Sequence, residues 1–170
     1  KTKNTSDDIQ KHHSSLIDDI NIDASSANET IGHAFFNHVT DLMIDNGDLP
    51  SATYSPYIKE VSNEDTKLKN MKIDGFQYDR EDDFTKNSIT LILSDYQNEE
   101  TYQTFNTNQL EQKFKLAERF IETCSTDEFL KNIEESSEGF DVVYELTNQF
   151  NYITRINIFL ITNSKFSGRL

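Results

Sequence analysis

Two aspartates on neighbouring segments are the residues whose type and spacing can do chemistry. Asp74 sits in Ile73-Asp74-Gly75-Phe76 and Asp95 in Ser94-Asp95-Tyr96-Gln97. If the two segments pair antiparallel through the polar stretch between them, the midpoint falls near residue 84 or 85, and Asp74 lies almost opposite Asp95. Carboxylates facing one another across a sheet repel. A hard divalent cation turns that repulsion into binding, because Mg²⁺ takes oxygen ligands from one or two carboxylates and completes its shell with water. Plainer readings stand beside this one. Asp74-Gly75 is also what a strand irregularity or a turn carries, with the aspartate bonding local backbone. Asp95 also suits the simple end of a strand.

The elements that must position these residues are legible as changes of period. Residues 7–20 hold Ile9, Leu16, Ile17 and Ile20 on a short amphipathic helix with Ser6 as its cap. Ile31, Phe35, Val39 and Leu42 recur on one face of a second helix, which Gly47 and Pro50 end. Residues 51–69 are polar and turn-rich and read mainly as loop. Residues 71–79 then alternate around Ile73, Phe76 and Tyr78, and residues 88–96 run through Ile89, Leu91, Ile92 and Leu93. With the charged link at 81–87 between them, the two segments read as a hairpin. A long helix follows with Leu110, Phe114, Ala117, Ile121 and Cys124 on one face and Thr107 as cap. Residues 126–134 and 140–150 read as further helix, and residues 155–162 as a strand apolar on both faces. Strands of that kind lie inside a covered sheet. The fold class is therefore α/β, a central mixed β-sheet flanked by helices. Ile31, Phe35, Val39, Leu91, Leu93, Phe114, Ile121, Ile158 and Leu160 are its expected core.

Composition bounds the function. The chain has 170 residues and a formal net charge of −14. Tight nucleic-acid binders draw most of their affinity from lysine and arginine on phosphate, so a polyanion partner requires basic surface supplied from elsewhere in a longer protein. No apolar run approaches the ~20 residues of a membrane span, and no signal peptide is visible. The single cysteine, Cys124, cannot form an internal disulfide and favours a reducing, cytoplasmic setting. On its apolar helix face it reads as packed core rather than as a nucleophile. His12-His13 reads as an exposed pair, and His33 and His38 as ordinary helix residues without zinc spacing. The acidic run Glu81-Asp82-Asp83 reads as a solvated hairpin loop. The chain does not open on methionine, as expected of a fragment. Residues 1–25 read as a polar, helical N-terminal extension and residues 26–170 as the α/β domain.

An acid on one hairpin strand followed by an acid-x-Lys element on the next resembles the restriction-endonuclease-like, PD-(D/E)XK, nucleases. More of the chain is similar to the N-terminal domain of the AIPR family, named for abortive infection and phage resistance. The similar stretches are Lys72-Ile73-Asp74-Gly75-Phe76, Leu91-Ile92-Leu93-Ser94-Asp95-Tyr96, the helix around 114–120 and Ile158-Phe159-Leu160-Ile161-Thr162-Asn163. The resemblance implies a bacterial antiviral defence protein whose N-terminal region has a nuclease-like fold. It implies that Asp74 and Asp95 bind Mg²⁺ or Mn²⁺, with the Tyr96 carbonyl as a third oxygen and Glu29, just before the second helix, completing the site. Such a metal polarises the scissile phosphate and lowers the pKa of the attacking water. Gln97 stands where lysine is usual. It can orient water by hydrogen bonds but carries no charge to stabilise the transition state. The expected function is metal-dependent phosphodiester cleavage or a degenerate form of it. The alternative is a non-catalytic binding or assembly module of a larger defence protein. The expected partners are the C-terminal remainder of the same chain, nucleic acid through the full-length protein, and further copies in an oligomer.

Overall fold

A computed structural model of the chain describes residues 2–60, 70–79 and 87–168. The elements run α1 (Thr2–Ala27), α2 (Ile31–Asp45), β1 (Thr53–Lys59), β2 (Met71–Asp79), β3 (Asn87–Asp95), β4 (Thr104–Phe105), α3 (Thr107–Cys124), α4 (Asp127–Asn132), α5 (Phe140–Gln149), β5 (Ile153–Thr162) and β6 (Lys165–Phe166). Four strands form a mixed sheet in the order β1-β2-β3-β5, and β4 and β6 form a separate two-stranded one. β2 pairs antiparallel with β1 and β3, whereas β3 and β5 run parallel. A parallel pair needs a crossover, and α3, α4 and α5 supply it.

The two central strands explain the layering. β3 is buried along most of its length, and its residues divide between two apolar clusters. Ile89, Leu91 and Leu93 pack with Ala117, Phe120 and Cys124 of α3 and with Val142, Val143 and Leu146 of α5. Ile92 points to the opposite cluster, with Ile20 and Ala24 of α1 and Ala34, Phe35 and Phe36 of α2. Both faces are thus covered, as expected of strands apolar on both sides. The mixed sheet flanked by helices that the periodicity predicts is the architecture observed. The acidic stretch 81–83 lies outside the described residues.

Several local expectations change. Residues 53–59, read as loop, form the edge strand β1. Pro56 in its middle masks the strand pattern, and the β1–β2 register shifts between Tyr54 and Tyr57, around that proline. Proline has no N–H to donate, so edges and bulges are where a sheet accepts it. The first helix extends over Thr2–Ala27, and His13 on it is buried, its Nε2 lying 2.8 Å from the Glu99 carbonyl oxygen. α3 is capped by Asn106 and Gln109 in a reciprocal capping box, one position earlier than Thr107. The buried stripe of α2 centres on Phe35 and Phe36, leaving Ile31 and Leu42 exposed and Val39 only partly buried. On α3 the inward line is Ala117, Phe120 and Cys124, with Phe114 and Ile121 at its margins. On the edge strand β5, Ile158 and Leu160 are half-buried.

Glycine fixes two places. Gly47, with φ +79°, closes α2 in a conformation that side chains resist. Gly75 follows Asp74, and a Cβ there would collide with the Phe36 ring and lie 2.5 Å from the Thr53 carbonyl oxygen. The bare backbone at Gly75 therefore leaves room for the Phe36 ring of α2 beside the first candidate carboxylate.

Candidate functional site

Asp74 lies on β2 where the pleat is irregular. Ile73 and Phe76 both pack into the α3 cluster, although strict alternation would send them to opposite faces. The phase changes between Ile73 and Phe76, opposite the β1 register shift between Tyr54 and Tyr57. The β2–β3 register runs from Gly75↔Ile92 to Asp79↔Ser88, which puts the midpoint between residues 83 and 84. The pairs end at Gly75↔Ile92, and Asp74 reaches the Ser94 N–H, so it does not lie opposite Asp95 in the register. Asp95 thus lies farther along β3 than the sequence-based pairing placed it. Asp74 leans the same way, because its Oδ2 accepts a 2.7 Å hydrogen bond from the backbone N–H of Ser94.

Each carboxylate has its own ammonium. Lys72 Nζ lies 3.1 Å from Asp74 Oδ2 and also donates to the Ser94 carbonyl at 2.6 Å. Lys113 Nζ, from α3, lies 2.6 Å from Asp95 Oδ1. Gln97 Nε2 donates to the same oxygen at 3.1 Å, and Thr162 Oγ1 donates to Asp95 Oδ2 at 3.4 Å. Asn163 holds Gln97 in place, accepting from its N–H at 2.8 Å and donating to its carbonyl at 2.7 Å. Asp95, Gln97 and Lys113 open onto one cleft of about 740 Å³ between α3 and the segment leading to β4.

The other site residues fall elsewhere. Tyr96 turns its ring onto Phe35, with centroids 4.9 Å apart, and its hydroxyl donates to Asn98 at 3.2 Å. Glu29 is near His33 Nδ1 at 3.6 Å and accepts from Asn37 Nδ2 at 3.4 Å. It borders depressions beside α1 and α2, not the cleft that holds Asp95. His33 stacks on Tyr54 with centroids 4.0 Å apart, and His38 lies 3.6 Å from Asp23. Among the described residues, no group of three or more His, Cys, Asp or Glu side chains is arranged to hold a metal ion.

Burial pushes the Asp74 carboxyl above its ordinary value of 3.8. The Lys72 ammonium and the Ser94 N–H pull it down, and the Asp95 charge adds to the rise. The native chain therefore binds this proton more tightly than the unfolded chain. Ionised Asp74 costs stability at neutral pH, and that cost fades as pH falls through the raised native value toward the ordinary one. Asp74→Asn keeps an oxygen for the Ser94 N–H and cannot ionise. In urea melts from pH 7 to pH 4, wild type should gain stability relative to Asp74→Asn as the pH falls. A relative loss would mean that Lys72 and Ser94 outweigh burial. Cys124 is fully buried, and burial pushes its thiol up to about 12, so it is core and not a nucleophile.

Sequence reasoning missed Lys72, Lys113, Thr162 and Asn163. Lys113 had a signal. It stands four residues before Ala117, seven before Phe120 and eleven before Cys124, on the same helical line as the three buried residues of α3. A lysine on an inward stripe needs a partner, and Asp95 is that partner.

The fold and this site define a class: an α/β domain with a helix-flanked mixed sheet whose central strands carry lysine-paired carboxylates. The chain belongs to the family described as abortive infection phage resistance protein N-terminal domain, which it matches over residues 35–170, more than half its length. No curated protein and no solved structure matches it. The family assigns the chain to abortive infection and phage resistance. No helix among the described residues is long and apolar enough to cross a membrane.

Proposed function

We propose that this chain is the N-terminal module of a bacterial abortive-infection protein, built on a restriction-endonuclease-like frame whose phosphodiester-cleaving site is degenerate. It acts by binding and assembly, within the cytoplasm and together with the remainder of a longer protein. One observation supports this above others: Lys72 and Lys113 already stand where a divalent cation would offset the charge of Asp74 and Asp95. Asp74 Oδ2 is shared by an ammonium and a backbone N–H, and both oxygens of Asp95 have side-chain donors, so Mg²⁺, which needs several oxygen ligands in near-octahedral array, would have to displace them. The donor set therefore does not fit a resident Mg²⁺ or Mn²⁺. The net charge of −14 also opposes the approach of a polyanion.

A second reading, a live metal-dependent nuclease, has one observation in its favour. Lys113 brings to Asp95 Oδ1, the oxygen that Gln97 also contacts, the positive charge that Gln97 itself lacks. Incubation of the chain with duplex DNA, single-stranded DNA and RNA in Mg²⁺ or Mn²⁺ separates the two. Wild type and Asp95→Ala should both leave the substrates at background. Metal-dependent cleavage by wild type that vanishes in Asp95→Ala would establish the second reading.

A further inference from the structure

We infer that the cleft between α3 and the segment leading from β3 to β4 is a binding site for a phosphate-bearing ligand of nucleotide size. This deepens the binding reading above by naming what the module holds. The first observation is a local reversal of charge. The chain carries 30 acidic against 16 basic residues. Yet this cleft gathers Lys113, Lys115 and Arg119 against only Asp95 and Glu99. Asp95 is already paired with Lys113. Arg119 donates to the Asn70 carbonyl at 3.1 Å through one Nη1 only, and a guanidinium has five N–H groups to offer. Lys115 is exposed and makes no hydrogen bond or ion pair among the described residues. Cationic donors of this kind are what phosphate oxygens bind most strongly.

The second observation is the carboxamide lining. Gln97, Gln103, Gln109 and Gln112 all border the cleft. Gln109, which borders the cleft, uses its oxygen on the α3 cap, accepting from the Asn106 N–H at 2.9 Å. Carboxamides present donors and acceptors together, the pattern that matches base edges and sugar hydroxyls. Leu116 and the largely buried Phe105 add apolar surface. The volume of about 740 Å³ lies within the range of small-molecule sites, roughly 300–1,000 Å³.

Charge decides between a small ligand and a polymer. Each further phosphate of a long strand meets the repulsion of an acidic chain, whereas the cleft, with Lys113 paired to Asp95, offers it only Lys115 and Arg119 beside Glu99. One to three phosphates gain the local attraction and avoid most of that repulsion. A nucleotide or a similar phosphorylated small molecule fits the balance, and a duplex does not.

Isothermal titration with ATP, AMP, inorganic phosphate, adenosine and a 20-nucleotide single strand tests the assignment, in metal-free buffer at low salt. ATP and AMP should bind saturably, and adenosine at least about tenfold more weakly than AMP, since a phosphate paired with charged donors is missing. Lys115→Glu should weaken ATP by roughly 10- to 100-fold on the same grounds, and its exposed position leaves the fold intact. No saturation at about millimolar ATP, equal affinity for adenosine and AMP, or indifference to Lys115→Glu would overturn the site. Binding by the single strand alone, rising with its length, would also overturn it, with a polynucleotide as occupant. Ligand recovered intact after incubation with Mg²⁺ agrees with a degenerate centre. Hydrolysis of bound ATP that requires Asp95 would sink the degenerate reading and leave the binding site standing.

Discussion

Phe120→Ala is expected to cost about 3–5 kcal/mol of folding stability, the usual range for deleting a fully buried phenylalanine. Phe120 is buried completely in the cluster that α3 makes with the sheet. Its ring meets Tyr57 of β1 with centroids 5.6 Å apart and Phe129 of α4 at 6.2 Å, so one side chain ties three elements together. Phe114→Ala should cost less than half as much, because Phe114 sits at the margin of the same cluster and water can fill part of the space it leaves. Paired urea melts of the two variants check the difference. Equal losses would mean that the inward line of α3 passes through Phe114. The consequence reaches the site, because the line that carries Phe120 also carries Lys113. A variant that loosens α3 should loosen the Lys113–Asp95 contact with it.

That contact shows what a sequence does and does not reveal. The alternation of Ile73, Phe76 and Tyr78 and the apolar run from Ile89 to Leu93 predict β2 and β3 where they occur, because burial on a sheet face selects residue type directly. β5 was readable for the same reason. β1 was not, since Ser55 and Pro56 interrupt its apolar pattern. The register across β2 and β3 was legible only to within two residues. Loop symmetry alone puts the hairpin midpoint near residue 84 or 85, whereas the actual register centres between residues 83 and 84, a shift that no periodicity announces. The two aspartates stood out because acids are rare inside a hairpin's apolar run. The lysines that neutralise them did not, because Lys72 and Lys113 look like ordinary surface residues until the elements are assembled.

If those lysines are built-in counter-ions, removing them should change what the carboxylates bind. Lys72→Met with Lys113→Met keeps much of each apolar stem and deletes both ammonium groups. Among the described residues, Asp74 on β2 and Asp95 at the end of β3 would then have the Ser94 N–H, Gln97 and Thr162 as their donors. The pairs are partly screened, since the lysine side chains are 29% and 27% exposed. Even so, at an effective dielectric of about 20 a like charge ~5 Å from a divalent cation costs more than the ~1.4 kcal/mol that separates tenfold affinities. The double variant should therefore bind Mn²⁺ at least about tenfold more tightly than wild type, read by titration calorimetry or by the water-relaxation effect of free against bound Mn²⁺. It should also melt lower than wild type without metal and recover part of that loss when Mn²⁺ is added, because a ligand that binds only the native state stabilises it. Asp95→Asn in the same background should abolish the gain. If wild type already binds Mn²⁺ as tightly as the double variant, the lysines are not standing in for a cation, and the live nuclease reading takes precedence.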